Sequence, residues 1–150
     1  MDTKRKTRRT DASMLSPLVE SGYQLIPLHH HSKVASHGSK VRQLGKAPMD
    51  RAWTTRPYDT GDALDHMRRG KNVGVRLRAT DVVLDLDPRN IDGGLPAAGA
   101  HLETLGVDVR DFPCVLTGSG GLHVYMTKAA EAAVSDRLPG WPGIELKTAG

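Results

Sequence analysis

Three short segments of this chain alternate between apolar and ionisable residues, and that alternation constrains the fold more than any other feature. They are Asp81-Val82-Val83-Leu84-Asp85-Leu86-Asp87, Leu122-His123-Val124-Tyr125-Met126 and Gly143-Ile144-Glu145-Leu146-Lys147. Successive side chains of a β-strand point to opposite faces. Val82, Leu84 and Leu86 therefore separate from Val83, Asp85 and Asp87. In the second segment Leu122, Val124 and Met126 separate from His123 and Tyr125, and in the third Ile144 and Leu146 separate from Glu145 and Lys147. If the three strands share a sheet in matching register, one face buries a core. The other then gathers two Asp, one Glu, one His and one Lys.

The remaining segments surround these strands with mixed elements. A short helix is expected from Ser13 to near Gly22, followed by a strand over 24–28 in which Pro27 marks an edge or a strand end. Residues 29–48 are polar and rich in His, Ser, Lys and Gly, and read as a long loop that orders on binding. Asp59-Thr60-Gly61-Asp62 opens a helix that runs through Leu64 and Met67 and stops at Gly70. Strands are expected at 72–77, 81–87, 114–117, 122–127 and 143–148, and helices at 93–106 and around 129–137. Strands often follow one another directly, which favours an α+β class over a doubly wound parallel sheet.

Composition narrows the function more by exclusion than by suggestion. The 150 residues suit a single domain. The lone cysteine, Cys114, excludes an internal disulfide and a Cys-based zinc site within this sequence. No apolar run approaches the ~20 residues of a membrane span, and the basic start lacks the apolar centre of a signal peptide, so a cytoplasmic protein without a membrane partner is expected. The formal charge of +4 is carried by the first ten residues, which hold five basic side chains against Asp2. Residues 1–12 thus read as a basic flexible arm able to hold phosphate backbones, or as a plain solvated tail. Residues 13–150 form a nearly neutral body, whose function must be read from motifs.

Two motifs carry chemistry. Asp85 and Asp87, at i and i+2, project in parallel, and such close like charges invite a cation. Hard oxygen donors suit Mg2+ or Mn2+, and a third carboxylate would complete a paired-metal site. The plainer alternative is a capped strand end before Pro88. The glycine-rich stretch Thr117-Gly118-Ser119-Gly120-Gly121 lies between two expected strands, where its amides can form an anion-binding concavity. Ser119 adds a hydroxyl, and His123 follows just past the loop. An ordinary hairpin turn is the alternative there. Taken together with Glu145, these signals favour a site for metal and triphosphate.

In this order the motifs resemble the primase-polymerase (prim-pol) domain of the archaeo-eukaryotic primase superfamily. The resemblance rests on Gly22-Tyr23-Gln24-Leu25-Ile26-Pro27-Leu28, Gly45-Lys46-Ala47-Pro48 followed by Trp53, and Asn72-Val73-Gly74-Val75. It continues through the Asp85/Asp87 strand, the stretch from Thr117 to Tyr125, and Gly143 to Lys147. It implies an RRM-like mixed β-sheet flanked by helices, with a smaller N-terminal α/β module. It also implies a catalytic role for Asp85, Asp87 and Glu145 as ligands of two Mg2+ or Mn2+ ions, Glu145 standing where many members have Asp. Ser119, Gly120, Gly121 and His123 match the nucleotide-binding positions, and Lys46, Arg76 and Lys147 are candidate phosphate or DNA contacts. The implied reaction is template-directed nucleotidyl transfer from ribo- or deoxynucleoside triphosphates to a 3′-hydroxyl in replication priming. Its partners would be a single-stranded DNA template, a primer and the nucleotide, together with a helicase domain or another replication protein. Members usually continue beyond the third carboxylate, so a chain truncated at its C-terminal end is expected, either a fragment or a reduced core.

Two other readings remain. One is a non-catalytic nucleotide- or nucleic-acid-binding module, although aromatic residues make up only 4% of the chain and Tyr125 is the main candidate stacking platform. The other is a replication-initiation endonuclease built on His-x-His and a nucleophilic Tyr, for which His29-His30-His31 is the candidate triplet. Trp53 and Trp141 are expected in the core rather than on a platform.

Overall fold

The computed structural model describes residues 12–149, so the expected arm lies outside the described residues but for Ala12. The chain divides into two compact units, residues 1–76 and 77–150.

In the first unit, helix α1 (Ser16–Glu20) leads into strand β1 (Gln24–Pro27), which pairs antiparallel with β4 (Val73–Arg76). Helix α2 (Thr60–Arg68) packs on both strands. Its start is set by Asp59, whose carboxylate accepts from the Gly61 and Asp62 amides, and Gly70 stops it at φ +79°. Leu18, Tyr23, Leu25, Ile26, Ala63 and Met67 are buried. The span expected as a long loop holds a hairpin instead, β2 (Val34–His37) against β3 (Lys40–Gln43). Every residue of these strands is exposed, so no apolar alternation announces them. Gly38, at φ +60°, permits the two-residue turn.

The second unit is built on a five-stranded sheet of order β6-β7-β5-β9-β8. Its strands are β5 (Asp81–Leu86), β6 (Cys114–Leu116), β7 (Leu122–Thr127), β8 (Arg137–Leu138) and β9 (Trp141–Thr148). Helix α3 (Gly94–Thr104) joins Leu84, Leu86, Val124 and Ile144 to Ala98 and Leu102 in one buried cluster. Burial of each large aliphatic side chain contributes about 1.5–3 kcal/mol. The apolar face of the three alternating segments is thus the core. The α+β class is as expected, but every pairing in the sheet is antiparallel where a mixed sheet was expected. Short connections decide this for the outer pairs, because β6–β7 and β8–β9 are hairpins. The helix expected around 129–137 is absent. Its alanines are exposed, and helical propensity without a face to bury is marginal in so short a segment. The chain turns there, with the Ala132 amide on the Ala129 carbonyl, and then supplies β8 as an edge strand.

Two glycines let neighbouring segments close on the C-terminal end of β5. A Cβ at Gly121 would stand 2.7 Å from the Leu86 carbonyl oxygen, and one at Gly143 would stand 2.8 Å from the Asn90 backbone. Both approaches are closer than real Cβ contacts, so the glycine loop reaches the end of β5, and β9 reaches the turn that follows β5, only without side chains at these positions.

Candidate active site

Strand pairing settles which ionisable residues meet. Asp85 lies opposite His123 of β7 on one side and Glu145 of β9 on the other, and Glu145 in turn faces Arg137 of β8. A single row across four strands therefore reads His, Asp, Glu, Arg. Within β5 every residue is buried except Asp85. Residues directly opposite on one face are close enough to interact. His123 Nε2 stands 3.3 Å from Asp85 Oδ1, and Lys147 Nζ stands 4.0 Å from Asp85 Oδ2. Lys147 also donates to the Glu145 carboxylate, which it holds below the usual range, with the Arg137 charge assisting and the Asp87 charge opposing.

Asp87 continues the same face, and its amide donates to the Gly143 carbonyl at 2.8 Å. Its carboxylate caps a 3-10 turn (Pro88–Asn90), as the capped strand end before Pro88 anticipated. It accepts from the Arg89 amide (3.1 Å), Arg89 Nε (2.9 Å), Arg89 Nη2 (2.7 Å) and Asn90 Nδ2 (3.3 Å). The Arg89 side-chain bonds above all hold this carboxyl below its usual range. Arg89 and Asn90 were not among the expected site residues. The sequence signal for them is the Asp-Pro-Arg run, an N-cap followed by proline at the first position of a turn.

The glycine loop is a closed hairpin turn. The Thr117 amide donates to the Gly121 carbonyl (2.8 Å), the Gly120 amide to the Thr117 carbonyl (3.0 Å), and the Gly121 amide to Thr117 Oγ1 (2.9 Å). Gly120 sits at φ +83°, and the Ser119 hydroxyl lies 3.1 Å from that of Thr117. The loop abuts the backbone of Leu86, one residue before Asp87. Tyr125 is buried, so it offers no open stacking platform, although its ring stands edge-on to that of His123 at 6.4 Å.

The other expected residues have plainer surroundings. Lys46 is exposed in a turn of the first unit. Arg76 donates through Nη1 to the Trp53 and Arg56 carbonyls, tying down the loop after the Gly45-Lys46-Ala47-Pro48 motif. Trp53 is half-buried, whereas Trp141 packs against the core and stacks on His101 with ring centroids 4.3 Å apart. His29-His30-His31 follows β1 in an irregular segment, with His30 and His31 ring against ring and His30 Nδ1 on Ser32 Oγ at 2.7 Å. A separate cleft of about 610 Å3 opens in the first unit beside Met49, Tyr58 and His66.

Among the described residues, no three His, Cys, Asp or Glu side chains converge closely enough to cage a metal as they stand. The donor chemistry nonetheless fits a hard divalent cation, since Asp85, Asp87 and Glu145 are oxygen donors on one face of adjacent strands. Their carboxylates are turned toward Arg89, Lys147 and His123 rather than toward one another.

Fold and row together define an α+β domain whose antiparallel sheet carries a row of ionisable side chains on the face away from α3, a face partly exposed at Asp85 and His123 and buried at Val83 and Tyr125. Over residues 16–150 the chain matches the Prim-Pol family model, bifunctional DNA primase/polymerase, N-terminal, and it belongs to that family. The resemblance drawn from the motifs is borne out, and the family's general function is that of a primase/polymerase. No curated protein matches the chain. No helix among the described residues is long and apolar enough to cross a membrane.

Proposed function

We propose that this chain catalyses template-directed nucleotidyl transfer from nucleoside triphosphates to a nucleic-acid 3′-hydroxyl, dependent on Mg2+ or Mn2+. The observation that carries this reading is the placement of Asp85 between Glu145 and His123, with Asp87 two residues on, just past the end of the strand. Asp85, Asp87 and Glu145 would hold the metal, as two ions. Bound there, divalent metal lowers the pKa of the attacking hydroxyl and offsets charge on the triphosphate.

The chain's own residues bind and orient the nucleotide. His123, 36% exposed at its side chain, offers its imidazole to phosphate oxygens from beside Asp85. The Ser119 hydroxyl binds the remaining phosphate oxygens, and the Gly120 and Gly121 amides would join it only by leaving their bonds within the hairpin. The close packing of Gly121 on Leu86 keeps that loop at the end of β5, next to Asp87. Lys147, between Asp85 and Glu145, balances their charge and orients both carboxylates. The substrates are a single-stranded DNA template, a primer and a ribo- or deoxynucleotide, and the setting is replication priming with a helicase or another replication protein as partner.

A binding module without chemistry is the second reading. It is favoured by the internal cations on the carboxylates and by the self-bonded hairpin of the glycine loop. Manganese-dependent incorporation on a single-stranded template separates the two. Wild type should extend the primer, and Asp85→Ala/Asp87→Ala should lose at least about a hundredfold, because even groups that only orient metal ligands are worth 10–100-fold. Template binding with no incorporation by wild type would establish the binding module instead.

A further inference from the structure

A carboxylate offers about four lone-pair positions, and at Asp87 all four are taken by its own chain. Oδ1 accepts from the Arg89 amide and Nε, and Oδ2 from Arg89 Nη2 and Asn90 Nδ2. Neither Asp85 nor Glu145 is engaged in this way. Asp85 meets His123 at 3.3 Å and Lys147 at 4.0 Å, and Glu145 is held by the same Lys147. Asp87 is therefore the one carboxylate of the three that cannot accept a new partner without giving one up. Its main partner is well placed to leave, because the Arg89 side chain is 72% exposed and an exposed ion pair is weak.

From this we infer that Arg89 is a latch on Asp87: divalent cation gains this carboxylate only by displacing the guanidinium fork, so Arg89 sets the metal concentration at which the site fills. The inference rests on the metal-site reading above and adds a residue that competes with the ion rather than binding it. The exchange makes and breaks no covalent bond. One cation leaves the Asp87 oxygens, another takes its place, and the released guanidinium turns into solvent.

The chain contains its own control. Asp108-Val109-Arg110 forms the same fork, with the Arg110 amide at 2.9 Å and Nε at 2.8 Å on Oδ1, and Nη2 at 2.6 Å on Oδ2. Neither Asp85 nor Glu145 is paired with it. Arg110→Ala removes an equal charge and an equal fork away from the row.

The test is direct titration of the full chain with Mn2+ alone, following the free-ion electron paramagnetic resonance signal, with circular dichroism melts to confirm that each variant is folded. Arg89→Ala should bind Mn2+ about threefold to fivefold more tightly than wild type, the scale of losing an exposed competing ion pair. Arg110→Ala should match wild type, and Asp87→Asn should weaken binding. Arg89→Lys keeps the charge but loses the bidentate fork, and should also bind more tightly. Lysine at this position behaving like wild type would mean that charge alone matters, and would overturn the latch. Equal affinities for wild type and Arg89→Ala, with Asp85→Asn still losing the ion, would overturn the latch and leave the metal site standing. No Mn2+ binding by wild type or Arg89→Ala would overturn both.

Discussion

Two turns in the second unit share one local design and sit in different surroundings. Asp87-Pro88-Arg89 and Asp108-Val109-Arg110 each begin with an extended Asp that caps a 3-10 turn and is gripped by the arginine two residues later. Local chain chemistry is sufficient to make such a fork, so the fork by itself signals nothing about function. The difference lies in what surrounds it. Asp87 follows the last residue of the central strand, close to the Asp85 and Glu145 row, and Gly143 lets β9 close upon its turn. Asp108 leads into the short edge strand β6, where the other carboxylates near Arg110 are Glu103, at 3.8 Å, and Asp111. The same three-residue geometry is a structural cap in one place and the candidate control of a metal-binding carboxylate in the other.

A third Asp–Arg fork sharpens the comparison and carries the largest expected effect. Asp81, at the start of β5, is fully buried and grips Arg78 backward across a turn, taking its amide at 2.6 Å and its guanidinium at 2.9–3.2 Å. Asp81→Ala should lower stability by about 2–3 kcal/mol in a denaturant melt, below the full cost of breaking a buried pair because Arg78 is half exposed. A loss no greater than that of Asp108→Ala would show that burial does not rank these forks. Gly143→Ala should follow. Its added methyl would press on the Asn90 backbone and Ile91, an overpacking worth roughly 1–2 kcal/mol, and it should disturb the Asp87 turn and leave the Asp108 turn intact. Amide chemical shifts at Arg89 and Arg110 read the two turns separately.

The smallest effect is a pH dependence. The Arg110 side-chain bonds, with its backbone amide assisting, pull the Asp108 carboxyl down to about 2 from an ordinary 3.8. A carboxyl whose folded pKa is depressed contributes stability above its unfolded pKa, and that contribution disappears as pH falls through the folded value. The melting temperature of wild type should therefore exceed that of Asp108→Asn at neutral pH, and the gap should close between about pH 4 and pH 2. A gap that persists at pH 2 would place the stabilisation in the turn's shape rather than in its charge. Asp87 shifts in the same direction under Arg89, so the corresponding Asp87→Asn comparison should narrow with acid as well.

Much of the second unit was legible from residue order because its strands carry period-two patterns. Val82, Leu84 and Leu86 against Asp85 and Asp87, and Ile144 and Leu146 against Glu145, named both the core face and the acidic face. Helix α2 was legible from its cap at Asp59 and its stop at Gly70. The β2–β3 hairpin was not, since all its side chains are exposed and hydropathy says nothing about a ladder held by backbone bonds. The alanines after Lys128 misled because propensity is a weak force beside the pairing that β9 offers to β8. Tyr125 shares the face of His123, yet it is buried, so alternation alone does not reveal which part of that face stays open.

The site divides in the same way. By itself the sequence determined which residue types exist and which side of each strand they occupy, because the period of a strand is a property of the local backbone. It also determined family membership, through motifs in a fixed order. Only the tertiary structure decided that Asp85 lies between His123 and Glu145, that Arg137 faces Glu145 from the far side, and that Arg89 rather than a neighbouring carboxylate engages Asp87. Register between strands distant in sequence follows from how the whole apolar face packs against α3. Charges then settle on whichever partners that packing brings within reach.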